Sequence, residues 1–86
     1  MNLKPAIELM DQILNDRTVP KNIRRAVEES KRALNDKNMQ PEVRISTAIH
    51  TLDEIINDPN MPLYARTKIW NIVSILEQAR RDLKVE

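Results

Sequence analysis

Asn57-Asp58-Pro59-Asn60-Met61-Pro62 decides the fold, because the chain carries two further versions of it. Asn15-Asp16-Arg17-Thr18-Val19-Pro20 and Asn35-Asp36-Lys37-Asn38-Met39-Gln40-Pro41 follow the same plan: Asn-Asp, two variable residues, one apolar residue and a closing proline, which Gln40 sets one residue later in the second. Asn tolerates the left-handed backbone that ends many helices, so Asn-Asp predicts a helix stop. Proline lacks the N–H that a first helical turn leaves unused, and its fixed φ suits a helix start. Between stop and start, Val19, Met39 and Met61 are expected to tuck beneath the turn as a hydrophobic staple does.

Working outward from the connectors, a shift of 42 residues superimposes Ala6-Ile7 on Ala48-Ile49, Asp11 on Asp53, Asn15-Asp16 on Asn57-Asp58 and Arg24 on Arg66. Pro20, Pro41 and Pro62 stand 21 residues apart, which halves that period. The repeating unit is therefore one helix and one short loop, used four times. Helical periodicity agrees. Leu3, Ala6, Ile7, Met10, Ile13 and Leu14 share one face, and Ile23, Ala26, Val27, Ser30, Ala33 and Leu34 repeat its offsets. So do Ile45, Ala48, Ile49, Leu52, Ile55 and Ile56, followed more loosely by Ala65, Ile69, Ile72, Ile75, Leu76, Ala79 and Leu83. The spacing predicts helices over 4–15, 20–36, 41–57 and 62–84, and no strand.

Loops this short make successive helices antiparallel neighbours. The hairpin period also lies in the range of HEAT and armadillo solenoids, but two hairpins fall short of the roughly three repeats an open stack needs to bury its faces. The expected fold is all-α: a four-helix antiparallel up-and-down bundle built from two similar helical hairpins, with residues 1–86 forming a single domain.

Composition narrows the function classes. Of 86 residues none is Cys and none is Gly, and only one, His50, is histidine. That excludes disulfides, thiolate metal sites, histidine clusters and Gly-rich phosphate loops. Charged residues make up 31% of the chain yet leave a net charge of only +1, which disfavours a general nucleic-acid or membrane binder. Met1-Asn2-Leu3-Lys4-Pro5 lacks a signal-peptide core, so a cytoplasmic location is expected.

Several segments resemble a known group. Val19-Pro20-Lys21-Asn22-Ile23-Arg24, Leu52-Asp53-Glu54-Ile55, and Asp58-Pro59-Asn60-Met61-Pro62 leading to Arg66-Thr67-Lys68-Ile69-Trp70 are similar to the archaeal uncharacterised protein family 0147. The resemblance covers nearly the whole chain. It implies a short archaeal helical protein, similar in form to a four-helix bundle, with no assigned activity and no functional residues to carry over.

Three groups of residues are candidates for more than packing. Arg24, Arg44 and Arg66 come early in the second, third and fourth helices, where a cation opposes the helix dipole and so needs a partner. Asp11 and Asp53 are the expected partners of Arg24 and Arg66, as inter-helix pairs fixing register; the alternative is a row of arginines for an anionic ligand. On the fourth helix Leu63, Tyr64, Trp70 and Val73 widen the apolar arc. Either a connector or the N-terminal segment covers them, or they form a protein-contact surface, most simply in a homodimer. Around the second helix, residues 17–37 hold seven cations against three acids, so Lys21, Arg25, Lys31 and Arg32 form a candidate basic face for nucleic acid. No aromatic interleaves with them, and Glu28 can pair with Lys31 or Arg32, which favours a solvated face. His50 with Asp53 and Glu54 would make only an open, weak metal site, and adjacent pairs such as Glu28-Glu29 diverge around the helix. The sequence thus predicts no enzyme and no cofactor, and a small protein-interaction module before a nucleic-acid accessory.

Overall fold

A computed structural model describes residues 2–85 of the chain, with side-chain surroundings for 2–83. The predicted single-domain span includes residues 1 and 86, which lie outside the described residues. Four helices follow one another: α1 (Lys4–Leu14), α2 (Lys21–Leu34), α3 (Pro41–Ile55) and α4 (Leu63–Val85). Among the described residues there is no strand, and no helix is long and apolar enough to cross a membrane.

The predicted stripes fill the core. All six predicted positions of α2 are buried, as are Ala6, Met10 and Ile13 of α1, Ile45, Ala48, Ile49 and Leu52 of α3, and Ala65, Ile69, Ile72, Leu76 and Ala79 of α4. Ile7, Leu14, Ile55, Ile56, Ile75 and Leu83 pack half-buried around them. The helices touch in a ring: α1 on α2, α2 on α3, α3 on α4 and α4 on α1, with no backbone approach of α1 to α3 or of α2 to α4. Ser30 is the one buried polar side chain among the described residues, and its hydroxyl donates to the Ala48 carbonyl at 3.2 Å. Two small residues meet where α2 and α3 pack, which lets the backbones approach.

The connectors stop the helices differently from the expectation. No described residue has a positive φ. Asn15 (φ −90°, ψ 0°) and Asn35 (φ −100°, ψ 4°) sit in the bridge region, and α3 runs into Ile56 (φ −60°, ψ −26°) before Asn57 is reached. The Asp after each Asn does the work instead. Its amide closes a tight turn on the carbonyl three residues back, with Asp16 on Ile13 at 3.1 Å, Asp36 on Ala33 at 3.2 Å and Asp58 on Ile55 at 3.0 Å. Its carboxylate then accepts the amide two residues on, from Thr18, Asn38 and Asn60 at 2.8–2.9 Å, which is an Asx turn. A side-chain acceptor thus turns the chain without a left-handed residue. The Thr18 hydroxyl and then its amide stabilise the Asp16 carboxylate and lower its pKa, with small further help from Lys68 and Arg24.

As expected, the apolar residue that follows is tucked under: Val19 and Met61 are buried and Met39 is half-buried. The prolines are not in equivalent places, however. Pro20 is the N-cap of α2 and Pro62 directly precedes α4, whereas Gln40 caps α3 and Pro41 is its first residue. The conserved frame inside the chain is Val19, Met39 and Met61, each followed five residues later by arginine.

Candidate interaction surfaces

Those arginines are where the structure corrects the predicted ion pairs. Arg24 Nε donates to the Val19 carbonyl at 3.0 Å and Arg44 Nε to the Met39 carbonyl at 2.8 Å. Arg66 donates twice, from Nε to Ile56 O at 3.0 Å and from Nη2 to Asp58 O at 2.9 Å. Neither Arg24–Asp11 nor Arg66–Asp53 forms. Asp53 is exposed on α3 and makes no ion pair with a described residue. The physical reason lies in the connectors: among the described residues, the Val19, Met39 and Ile56 carbonyls receive no backbone amide from the turns and caps around them, so each calls for a side-chain donor. Each arginine, half-buried beside its own connector, reaches back to them. Asp11 instead meets Lys31, Nζ to Oδ1, at 2.7 Å. Leu14, the last residue of α1, borders one hollow with Lys21 to Glu28 and another with Glu28 to Asn35. The end of α1 therefore lies beside the middle of α2, which brings Lys31 rather than Arg24 level with Asp11.

The candidate interface on α4 divides in two. Leu63, Trp70 and Tyr64 are 69%, 53% and 46% exposed, while Val73 is half-buried against the core. At about 100° per residue Leu63 and Trp70 lie within about 20° of each other, with Val73 about 60° from Trp70. Tyr64 is about 120° from Trp70 and turns the other way, its hydroxyl paired with Thr18 Oγ1 in the first connector. Neither a connector nor the described N-terminal residues bury Trp70. Trp70 and Val73 stand in residues 69–76, which hold no charged side chain, and Leu63 lies before that run, beyond Arg66 and Lys68. Val43, 47% exposed in the first turn of α3, is a further exposed apolar residue that periodicity passed over because it lies off the stripe.

The candidate basic face shrinks. Lys31 is held by Asp11, and Arg32 Nη2 pairs with Glu28 Oε1 at 3.1 Å along the helix. Lys21 and Arg25 stay exposed, with no hydrogen bond or ion pair to a described residue. Arg24 joins them. Leu14, Lys21, Arg24, Arg25 and Glu28 line a shallow hollow of ≈ 390 Å³ between α1 and α2. Helical spacing alone puts Lys21, Arg24, Arg25 and Glu28 on one face of α2, and the position of α1 adds Leu14.

A larger groove of ≈ 500 Å³ lies where α4, 23 residues against 11 in α1, runs past the start of α1. Asn2 borders it with Ile75, Ala79 and Leu83 of α4, flanked by Ser74, Gln78 and Asp82. His50 approaches Glu54 at 3.8 Å with both exposed, and Asp53 does not join them. Among the described residues no three His, Asp or Glu side chains group closely enough to hold a metal ion.

Known proteins resemble the chain over most of its length. A protein of Methanocaldococcus jannaschii is 55% identical over 78 residues, which is 91% of this chain and 84% of that protein. One of Metallosphaera sedula is 50% identical over the same share of this chain and 88% of its own. Both are named as members of one uncharacterised family. The crystal structure of a protein of unknown function, MMP1188, matches with a TM-score of 0.84 at 48% identity, covering 87% of this chain and 85% of that one. A second crystal structure, from Thermoplasma acidophilum, matches with a TM-score of 0.81 at 39% identity, covering 86% of this chain and 87% of that one. With the family model also matching residues 1–79, the chain belongs to the uncharacterised protein family UPF0147.

Proposed function

We propose that the protein is a small protein-interaction module, without catalytic activity and working in the cytoplasm, that binds its partner through the Leu63/Trp70/Val73 flank of α4. The observation that carries this reading is Trp70, more than half exposed at 53% inside an uncharged run of a chain that is 31% charged. Tryptophan is enriched, and charge depleted, at the centres of protein interfaces. One flank of one helix is small beside a standard interface, which fits a transient contact.

The scaffold for this surface is an up-and-down antiparallel bundle. Short connectors favour it. So does the pairing of distant residues: Asn2 lies beside Gln78 and Asp82 at one end of α1, while Thr18 meets Tyr64 beyond the other. Between α2 and α3, Ser30 with Ala48 and Asn22 with Asp58 likewise fit chains running in opposite directions.

Affinity purification from the native cell tests the contact, with the wild-type chain and the Leu63→Ser/Trp70→Ser variant as parallel baits. A partner retained by the first and lost by the second is expected. Identical sets of co-purifying proteins would sink the proposal. The self-association form is checked by sedimentation at high micromolar concentration, where a species larger than monomer should disappear in the variant. A nucleic-acid accessory role is the second reading, and its support now rests on the start of α2 alone.

A further inference from the structure

We infer that the hollow between α1 and α2 is an oxyanion site that takes a phosphoryl group, held by Lys21, Arg24 and Arg25. This does not depend on the α4 contact surface. It rests on three observations. The first is convergence: the three cations border one concavity floored by Leu14, and the carboxylate at its rim, Glu28, is already engaged by Arg32. The second is their freedom. Lys21 and Arg25 make no hydrogen bond or ion pair with a described residue, and Arg24 is anchored through Nε alone, which leaves its two Nη groups without a hydrogen-bond partner there. Asp16 feels the Arg24 charge only as the last of its perturbations.

The third is an internal control that the repeat provides. Aligned on Val19, Met39 and Met61, the arginine that braces each connector recurs as Arg24, Arg44 and Arg66. The positions of Lys21 and Arg25 are filled by Pro41 and Ile45 in α3, and by Leu63 and Thr67 in α4. The connector therefore requires its arginine but not the two extra cations. Those two stand in the first turns of a helix that has no acidic residue in its first turn, where the helix dipole disfavours positive charge. A fork anchored at one edge between two exposed cations suits the tetrahedral oxygens of a phosphoryl group.

Such a group can come from a free phosphate compound or from a nucleic-acid backbone, and two probes separate them. Amide chemical shifts of the full chain are followed during titration with inorganic phosphate, then with a short single-stranded RNA of mixed sequence. Saturable shifts centred on residues 21–25 are expected with phosphate. The K21Q/R25Q variant should weaken binding by about tenfold, from the loss of two charge-assisted contacts at a surface site. K37Q, a cation on the connector after α2, should leave it unchanged. Tighter, salt-sensitive RNA binding on the same residues assigns the site to nucleic acid; RNA binding no tighter than phosphate assigns it to a small phosphate compound. The competing use of these cations, to balance the carbonyl end of α1, predicts a lower melting temperature for K21Q/R25Q and no phosphate dependence. That result overturns the site. So do shifts spread equally over Lys37, Arg80 and Arg81, or phosphate binding of undiminished affinity in K21Q/R25Q.

Discussion

Replacing Arg66 with alanine should cost more stability than any other single arginine change in the connectors, and the acceptors explain why. Arg66 makes two hydrogen bonds to main-chain carbonyls, at 3.0 Å to Ile56 and 2.9 Å to Asp58. A charged donor to a carbonyl contributes about 1.5 kcal/mol at the lower end, so the pair comes to about 3 kcal/mol. The side chain is only half-buried, and water can reach part of what it leaves behind, which reduces the cost to about 2 kcal/mol. For a domain of this size that lowers the melting temperature by about 10 °C. Arg24→Ala and Arg44→Ala, each losing one such bond, should cost about half as much. Arg66→Lys should recover little, because an ammonium cannot reproduce the two-pronged geometry. Thermal unfolding followed by circular dichroism gives the ranking, and pH supplies the decisive comparison. Main-chain carbonyls do not titrate, so the Arg66→Ala penalty should be the same at neutral pH and at a pH where carboxylates are protonated. Asp53→Asn should stay within about 0.5 kcal/mol of wild type, as an exposed substitution does. If Asp53→Asn destabilises as much as Arg66→Ala, or the Arg66→Ala penalty vanishes in acid, the carbonyl clamp is wrong and a carboxylate is the true partner.

Ser30→Leu should destabilise by about 3 kcal/mol by forcing α2 from α3, whereas Ser30→Ala should cost under about 1 kcal/mol; denaturant unfolding distinguishes them, and equal effects would refute close packing at that seam. Asp11→Asn should cost only about 0.5 kcal/mol, because the Lys31 pair is a third or more exposed at both partners, and that small loss should shrink further in high salt. Asp16 should titrate below the ordinary aspartate range, because the Thr18 hydroxyl and amide favour its charged form. Its folded pKa being depressed, its contribution to stability is present above the unfolded pKa and lost as pH falls through the folded value. A carboxyl carbon titration by NMR measures this, and Thr18→Ala should return the midpoint toward the ordinary range. Trp70 should be quenched by acrylamide almost as readily as a free tryptophan derivative, in keeping with its 53% exposure; strong protection at micromolar concentration would mean that something already covers it.

What the sequence determined by itself was everything governed by local periodicity. The number of helices, their ends to within two residues, and the buried stripes from Ala6 to Ala79 follow from apolar spacing and from the Asn-Asp…Pro corners. A helix brings residues three and four apart onto one face wherever it lies in the fold, so no neighbour is needed to read its stripe. The wider apolar arc of α4 around Trp70 was legible for the same reason. The partners of long polar side chains were not. Arg66 could in principle meet a carboxylate or main-chain carbonyls, and the fold of the third connector set the Ile56 and Asp58 carbonyls in front of it. Asp11 found Lys31 because α1 ends beside the middle of α2, and that offset also set Leu14 beside the face that carries Lys21, Arg24 and Arg25. Tyr64 turned from Trp70 toward Thr18 because the first connector lies on its side of α4. Periodicity fixes which face of a helix is hidden. The level at which neighbouring helices meet decides which charges and rings come together, and only the packed structure sets it.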